Sequence, residues 1–175
     1  MTQPPSQLVT LTVRIARARD LRAADPNGLS DPYVILRVGE CAPWRSEIVR
    51  KTLNPNWSAA AIFAGVALDR TPYATADVWD SDMASADDHL GRAIIPLAQV
   101  LLASAGGMDC ELTLGRRSPR SLAKGSVWIH IQAVPDIDSI PVAGVRPPGR
   151  LRSTLPTYAE EFKRLCLLAN ARLGS

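Results

Sequence analysis

The chain has 175 residues, of which 46% are hydrophobic and 21% are charged. These values are typical of a folded soluble protein and exclude an intrinsically disordered polyampholyte. The formal net charge of +3 is too small to indicate binding to nucleic acid. The cysteines predict neither a disulfide framework nor a zinc site, because their number is odd and they have no Cys-X-X-Cys spacing.

The charged residues are unevenly distributed along the chain. Residues 1–115 carry 10 basic and 13 acidic residues, a net charge of −3, whereas residues 116–175 carry 10 basic and 4 acidic residues, a net charge of +6. No secretory signal is visible in residues 1–7. The most apolar stretch, 93–108, is interrupted by Pro96 and is shorter than the roughly 20 residues that cross a bilayer. We therefore expect a cytoplasmic protein that associates with a membrane only peripherally.

Between a short tail (1–7) and residue 134, the sequence has the pattern of short strands. Val9, Leu11, Val13 and Ile15 alternate with polar or small residues, and the same period of two recurs in later segments. The predicted strands are 9–16, 34–38, 44–50, 59–64, 74–78, 90–96, 110–114 and 127–133. Strands of this length, separated by turn signals, predict an all-β fold, an eight-stranded antiparallel β-sandwich over residues 8–134.

After residue 134 the sequence changes character. Repeated proline and glycine predict a linker over 135–155. Thr157 followed three residues later by Glu160 forms a capping box, and an apolar stripe follows, so we predict an amphipathic helix over 156–173. A single helix of this length is marginal alone in water. We therefore expect it to pack on the sandwich or to bind a protein partner.

Two turns of the predicted sandwich, after strand one and after strand five, are rich in carboxylates. They hold Asp25, Asp31, Asp80, Asp82, Asp87 and Asp88 and almost no Lys or Arg. We expect both turns at the same end of the sandwich. Two like charges about 6 Å apart repel by roughly 3 kcal/mol at an effective dielectric of ~20, so such a group favours a bound cation. Oxygen ligands in irregular loops favour calcium over magnesium or zinc.

Turn formation alone also accounts for aspartates of this kind. Aspartate is common in turns because it hydrogen-bonds its own backbone, and one isolated loop would more often be only a turn. Two such loops at one end favour the metal site. Asp80-Ser-Asp82 begins like an EF-hand, but position six is Ser85 instead of glycine and position twelve is Gly91 instead of glutamate, which argues against that motif.

Three motifs follow one another in the chain: Asp25-Pro-Asn-Gly-Leu-Ser-Asp31-Pro-Tyr33-Val, Leu53-Asn-Pro-Asn-Trp57, and Val78-Trp-Asp80-Ser-Asp82 with Asp88-His-Leu-Gly91. Together they resemble the C2 domain, the calcium-dependent phospholipid-binding β-sandwich of protein kinase C and synaptotagmins. The resemblance covers about residues 8–134. It implies the circular permutation of that fold whose termini lie away from the calcium loops.

The resemblance also implies a site for two or more calcium ions. The calcium-ligating aspartates of the family correspond here to Asp25, Asp31, Asp80, Asp82 and Asp88. The resemblance implies further ligands in the backbone carbonyls of Ala24 and Ser81 and the hydroxyl of Ser85. It makes Leu29 and Met83 candidates for insertion into the lipid headgroup region.

The connection between predicted strands seven and eight is basic, and we expect it at the same end as the acidic loops. Its cations are Arg116, Arg117, Arg120 and Lys124. Near an anionic leaflet each contributes about 1 kcal/mol, and arginine binds phosphate in a forked geometry. An ordinary solvated loop explains the same residues equally well.

These features predict calcium-dependent binding to anionic phospholipid membranes, as a targeting or trafficking/signalling module that associates with the membrane when calcium rises. We do not expect an enzyme, because no Ser or Cys lies in a nucleophile motif and paired catalytic carboxylates lie in clefts, not on loop tips. We expect His89 to be exposed or structural. The scattered tryptophans do not form a base-stacking platform for nucleic acid. The alternative is a calcium-independent protein-interaction adaptor that uses the sandwich surface and the C-terminal helix.

Overall fold

Two four-stranded antiparallel sheets share one core in the computed structural model, which describes residues 8–83, 85–103, 106–119 and 121–136. The strands are β1 (Leu8–Arg19), β2 (Pro32–Val38), β3 (Trp44–Arg45), β4 (Asn56–Ala67), β5 (Tyr73–Asp80), β6 (Asp88–Pro96), β7 (Met108–Thr113) and β8 (Ser126–Pro135). The strand orders are β4-β1-β8-β7 and β3-β2-β5-β6, which differ from a simple up-and-down arrangement. The predicted eight-stranded antiparallel β-sandwich is confirmed.

Sequence alternation places one face of each sheet in the core. In β1, Val9, Leu11, Val13 and Ile15 are at most 1% exposed, and Leu36 of β2 in the other sheet is 0% exposed. Successive side chains of a strand point to opposite faces, so the polar residues between them lie outside. Burying each of these aliphatic side chains contributes roughly 1.5–3 kcal/mol, which makes the core the main source of stability.

Strand β3 is shorter than predicted. The sequence predicts a strand over 44–50, but the ladder with β2 ends after Arg45. The Ser46 hydroxyl accepts a hydrogen bond from the backbone N–H of Val34 at 2.9 Å, where a regular ladder would use a backbone carbonyl. The N–H of Ser46 still donates to the carbonyl of Val34 at 2.9 Å, and further along the N–H of Val49 donates to the carbonyl of Pro32 at 3.0 Å. A hydroxyl oxygen has therefore replaced a backbone carbonyl in one of the two hydrogen bonds between Ser46 and Val34.

A short helix, α1 (Leu97–Leu102), follows β6 and was not predicted. Leu97 and Val100, three residues apart, are 0% and 4% exposed, so one face of the helix packs into the core. Pro96 precedes the helix, where a missing backbone N–H costs nothing. Among the described residues, no helix is long and apolar enough to cross a membrane.

Four connections lie at one end of the sandwich: loop one (20–31), loop two (46–55), loop three (81–87) and the basic loop (114–125). Asp80, the last residue of β5, pairs with Pro32 of β2 and with Asp88 of β6. Arg19 at the end of β1 pairs with Ser126 at the start of β8. The expectation that the acidic loops and the basic loop share one end is therefore confirmed.

The outer ends of the first and last strands lie at the opposite end of the sandwich. The N–H of Asp136 donates to the carbonyl of Leu8 at 2.9 Å, just beyond β8. The predicted permutation, with its termini away from the acidic loops, is confirmed. The described residues belong to one unit, Met1–Pro141; the predicted helix over 156–173 falls in a second unit, Val142–Ser175, and lies outside the described residues.

Candidate functional site

Loops one and three are joined directly by hydrogen bonds. The backbone N–H of Asp31 donates to Oδ1 of Asp80, and the N–H of Ser81 donates to the carbonyl of Asp31 at 3.0 Å. Loop one holds its own shape through Asn27, whose Oδ1 accepts from the N–H of Leu29 at 2.8 Å. The sequence therefore brings the carboxylates of two distant loops to one place.

Asp80 is the buried residue at the junction of loops one and three. The residue is only 1% exposed, and its Oδ2 has no hydrogen-bond partner among the described residues. Burial raises the pKa of Asp80, and the negative charges of Asp25 and Asp82 raise it further. The Ser30 hydroxyl lies close to Asp80, but it donates its single proton to the carbonyl of Arg22 at 3.0 Å. A buried carboxylate oxygen without a donor, beside two further carboxylates, fits a hard cation.

Asp25 and Asp82 carry no hydrogen bond or ion pair on their side chains within the described part of the chain, so their oxygens are available to a ligand. The same residues nevertheless contain no group of three or more His, Cys, Asp or Glu gathered closely enough to hold a metal ion as they stand. Asp31 and Asp88 remain separately engaged. A calcium ion that used both oxygens of either carboxylate would have to displace a present partner.

Asp31 and Asp88 are held by arginines. Arg50 Nη1 lies 3.0 Å from Asp31 Oδ2, and the N–H of Lys51 donates to Asp31 Oδ1 at 2.7 Å. Arg22 Nη2 lies 3.4 Å from Asp88 Oδ2. The expectation that almost no basic residue compensates these loops is wrong. Arg22 comes from loop one itself and Arg50 comes from loop two.

The three further predicted ligands lie in the same two loops. The N–H of Ala24 donates to the carbonyl of Leu29 at 3.2 Å and to the Ser30 hydroxyl at 3.1 Å, which fixes the backbone at that point. Ser81 is fixed by its bond to Asp31, whereas Ser85 is exposed. The structure thus brings these residues to the loop end and leaves their role as ligands a prediction.

Asp87, the sixth acidic residue, fastens loop three to β2. The Tyr33 hydroxyl donates to Asp87 Oδ2 at 2.6 Å, and the N–H of Asp82 donates to Asp87 Oδ1 at 3.0 Å. The hydrogen bond from Tyr33 lowers the pKa of Asp87, while burial and the Asp87 charge raise the pKa of Tyr33 to about 12. Both oxygens of Asp87 are occupied, so its contacts are those of a structural anchor.

Sequence reasoning missed Asp77, which is 0% exposed although it lies on the outer face of β5. Arg37 Nη1 contacts it at 2.8 Å, Arg92 Nε at 2.7 Å and His89 Nε2 at 3.0 Å. Burial acts to raise the pKa of Asp77, but the bonds from His89 and Arg92 outweigh it and lower the pKa to about 2. Strand alternation carried no signal for this network, because its cations come from neighbouring strands. The expectation that His89 is exposed or structural is confirmed in its structural form.

Comparison with known proteins assigns the family. The family model described as the C2 domain matches residues 9–113. The chain belongs to the C2 domain family. It is 34% identical over 110 residues to Multiple C2 and transmembrane domain-containing protein 1 of Rattus norvegicus, a match that covers 60% of this chain and 11% of that protein. The chain therefore spans only about a tenth of the length of that curated relative.

Solved structures show the same fold. A C2 domain of plant Extended Synaptotagmin 1 superposes with a TM-score of 0.64 at 19% identity, covering 77% of this chain and 98% of that one. The calcium-bound pair of C2 domains of Extended-Synaptotagmin 2 superposes with a TM-score of 0.59 at 25% identity, covering 75% of this chain and 47% of that one. C2 domains generally bind phospholipid membranes.

The loop end of this C2 domain also carries the residues predicted to contact lipid. Met83 is 95% exposed in loop three, and Leu29 is half-buried in loop one. Arg116 and Lys124 are exposed, and the Arg117 guanidinium lies 5.6 Å from the centre of the Trp79 ring. Arg120 lies outside the described residues. An exposed methionine and several cations therefore lie at the same end as the carboxylates.

Proposed function

We propose that this C2 domain binds anionic phospholipid membranes in a calcium-dependent manner through loops one and three, as a targeting or trafficking/signalling module. The proposal depends on the surroundings of Asp80. Its buried Oδ2 lacks a hydrogen-bond donor among the described residues, and Asp25 and Asp82 add negative charge nearby. Membership of the C2 domain family supports binding to a membrane, and the similar structure of Extended-Synaptotagmin 2, which is calcium-bound, supports binding of calcium.

The carboxylates of this chain would hold two or more calcium ions. The predicted ligands are Asp25, Asp31, Asp80, Asp82 and Asp88, the carbonyls of Ala24 and Ser81, and the hydroxyl of Ser85. Bound calcium neutralises carboxylate charge and offers coordination positions to lipid phosphate. The chain keeps the loops in place through the bonds of Asp31 to both Asp80 and Ser81.

The membrane contacts would surround these carboxylates. Met83 can enter the headgroup region with little rearrangement because it is already 95% exposed, and Leu29 would follow from loop one. Arg116, Arg117, Arg120 and Lys124 would contact anionic headgroups at about 1 kcal/mol each. The domain would then be a cytoplasmic, peripheral membrane protein that associates when calcium rises, and it would act by binding, not by catalysis.

The test is co-sedimentation of the full chain with vesicles of phosphatidylcholine and phosphatidylserine, with calcium and with a chelator. The parent is compared with the double variant Asp80→Asn, Asp82→Asn and with Asp69→Asn in the turn between β4 and β5, at the other end of β5. We expect calcium-dependent binding for the parent and for Asp69→Asn, and its loss in the double variant. Equal binding of all three proteins with and without calcium would refute the proposal.

The calcium-independent adaptor remains the alternative. Its partner-binding element, the predicted helix over 156–173, lies outside the described residues, and no observation within them favours it. Truncation at Pro148 separates the two functions. The proposed function expects calcium-dependent vesicle binding to survive that truncation, whereas the adaptor expects its protein partner to be lost.

A further inference from the structure

Two arginines occupy carboxylates that the proposed calcium site needs. Arg50 pairs with Asp31 at 3.0 Å and Arg22 pairs with Asp88 at 3.4 Å. With the bond from Lys51 to Asp31 Oδ1, both oxygens of Asp31 are occupied. At Asp88 the arginine occupies only Oδ2, so a cation would compete with Arg22 for one of the two oxygens. The arginines are therefore direct competitors of any bound ion.

Each pair is built so that it can open without disturbing the core. In one pair the arginine is the exposed partner: 61% of the Arg50 side chain is exposed, against 13% of the Asp31 side chain. In the other pair the carboxylate is the exposed partner, with 53% for Asp88 against 24% for Arg22. Solvent screens such pairs, so each is weak enough for a divalent cation to displace.

Arg22 is also incompletely satisfied in this arrangement. Its Nε is buried and has no hydrogen-bond partner among the described residues. The distance of 3.4 Å from its Nη2 to Asp88 Oδ2 is longer than that of a typical charge-assisted hydrogen bond. A guanidinium presents five donors in a fork that matches a phosphate group. Arg22 Nη1 makes only a 3.5 Å contact with the carbonyl of Ala23, so the outer nitrogens of this guanidinium still have donors to offer to a second anion at the loop end.

We propose that Arg22 and Arg50 are exchangeable counterions of this C2 domain. In the ion-free domain they hold Asp88 and Asp31, and when a cation takes these carboxylates, the released guanidinium groups bind the phosphates of an anionic lipid surface. This inference rests on the proposed calcium-dependent membrane binding. It adds an ion-free state with its own partners, and two lipid contacts in loops one and two.

The exchange has a consequence that a purely structural role would not have. Removing either guanidinium removes a competitor of calcium, so calcium should bind the isolated protein more tightly. The same change removes a lipid contact, so the calcium-loaded protein should bind anionic vesicles more weakly. An arginine that only supported the loop would change both affinities in the same direction, or neither.

The experiment uses Arg50→Gln and Arg22→Gln in the full chain, with Arg70→Gln in the turn between β4 and β5 as a charge-matched control. Calcium is titrated calorimetrically without lipid, and binding at saturating calcium is then measured to phosphatidylcholine vesicles with and without phosphatidylserine. We expect calcium to bind each test variant about two- to fivefold more tightly, the change expected for one exposed ion pair. Binding to the phosphatidylserine vesicles should weaken, and Arg70→Gln should match the parent in both measurements.

Thermal unfolding in the presence of a chelator checks that each variant is folded. If Arg22→Gln does not fold, Arg50→Gln alone tests the proposal. Unchanged or weaker calcium binding in the folded variants overturns the exchange while leaving the proposed function intact. Unchanged binding to phosphatidylserine vesicles overturns the lipid contacts. A parent protein that binds no calcium overturns both the exchange and the proposed function.

Discussion

Asp77 and Asp80 are both buried carboxylates, three residues apart on β5, with opposite surroundings. Asp77 receives bonds from Arg37, Arg92 and His89 and is fully satisfied. Asp80 has one oxygen without a donor among the described residues and lies near Asp25 and Asp82. Unsatisfied buried charge costs stability, and function is a common reason to keep it. The surroundings of Asp77 are those of a stabilising residue, and we propose that Asp80 binds a ligand.

Asp77→Asn should destabilise the fold in a pH-dependent way. The pKa of Asp77 is lowered from 3.8 to about 2 in the folded domain, so its stabilisation is fully present above pH 4 or so and is lost as pH falls toward 2. Near neutral pH we expect the variant to lose on the order of 2 kcal/mol of unfolding free energy, and the loss to shrink as acid protonates Asp77 in the parent.

Chemical denaturation of parent and variant at several pH values measures this difference. Asp109→Asn is the matched control, because Asp109 pairs with His130 at 2.9 Å but its side chain is 90% exposed. Its effect should stay within about 0.5 kcal/mol at every pH. A constant difference between the parent and Asp77→Asn from neutral pH to pH 2 would contradict the role assigned to the Asp77 carboxylate.

At the same scale, the sequence predicted the carboxylates but not their arginine partners. The aspartates cluster in two short motifs, and the alternating direction of successive strands predicts that both motifs lie at one end of the sandwich. Arg50 and Asp31 are 19 residues apart, and Arg22 and Asp88 are 66 apart. Pairs of this kind depend on how separate loops approach each other, which residue spacing does not report.

At the scale of elements, the strands followed from sequence wherever alternation controlled the backbone. All eight predicted strands are present. In four of them the period of two specifies which face is buried, and the four less regular ones were located by the turn signals around them. The exceptions have local causes. Ser46 replaces a ladder carbonyl with its hydroxyl and shortens β3, and the apolar segment of α1 fits a strand or a helix equally well.

We expect the basic loop to contribute to vesicle binding. Its backbone is pinned to both sheets: Gly115 exchanges two hydrogen bonds with Arg92, and the backbone of Gly125 lies so close to Arg19 that a Cβ there would be 2.3 Å from the Arg19 carbonyl oxygen. The described cations of the loop, Arg116, Arg117 and Lys124, are thereby held at the loop end. Neutralising them should weaken vesicle binding without changing calcium affinity in solution.

The variants for this prediction are Arg116→Gln, Arg117→Gln and, as a control, Arg14→Gln, Arg70→Gln, which removes equal charge elsewhere. At about 1 kcal/mol per cation, the test pair should weaken binding to phosphatidylserine vesicles by roughly tenfold or more. Adding Arg120→Gln and Lys124→Gln should weaken it further. Equal partitioning of test and control variants would identify the basic loop as an ordinary solvated loop.

At the scale of the whole molecule, the net charge of +3 conceals two opposed regions. Residues 1–115 carry −3 and residues 116–175 carry +6. The described sandwich brings an acidic group of loops and a basic loop to one end, and places arginines on two of the carboxylates. Cations bound there would change the charge of that end most, so the small total charge does not argue against an anionic partner.

Calorimetric titration of calcium into the lipid-free full chain measures whether the carboxylates around Asp80 bind calcium, as we propose. We expect saturable binding of two or more ions by the parent, and loss of that binding in Asp80→Asn with thermal unfolding as the check of its fold. Asp69→Asn should bind as the parent does. Absence of calcium binding by the parent, or unchanged binding by folded Asp80→Asn, would show that these carboxylates do not form a calcium site.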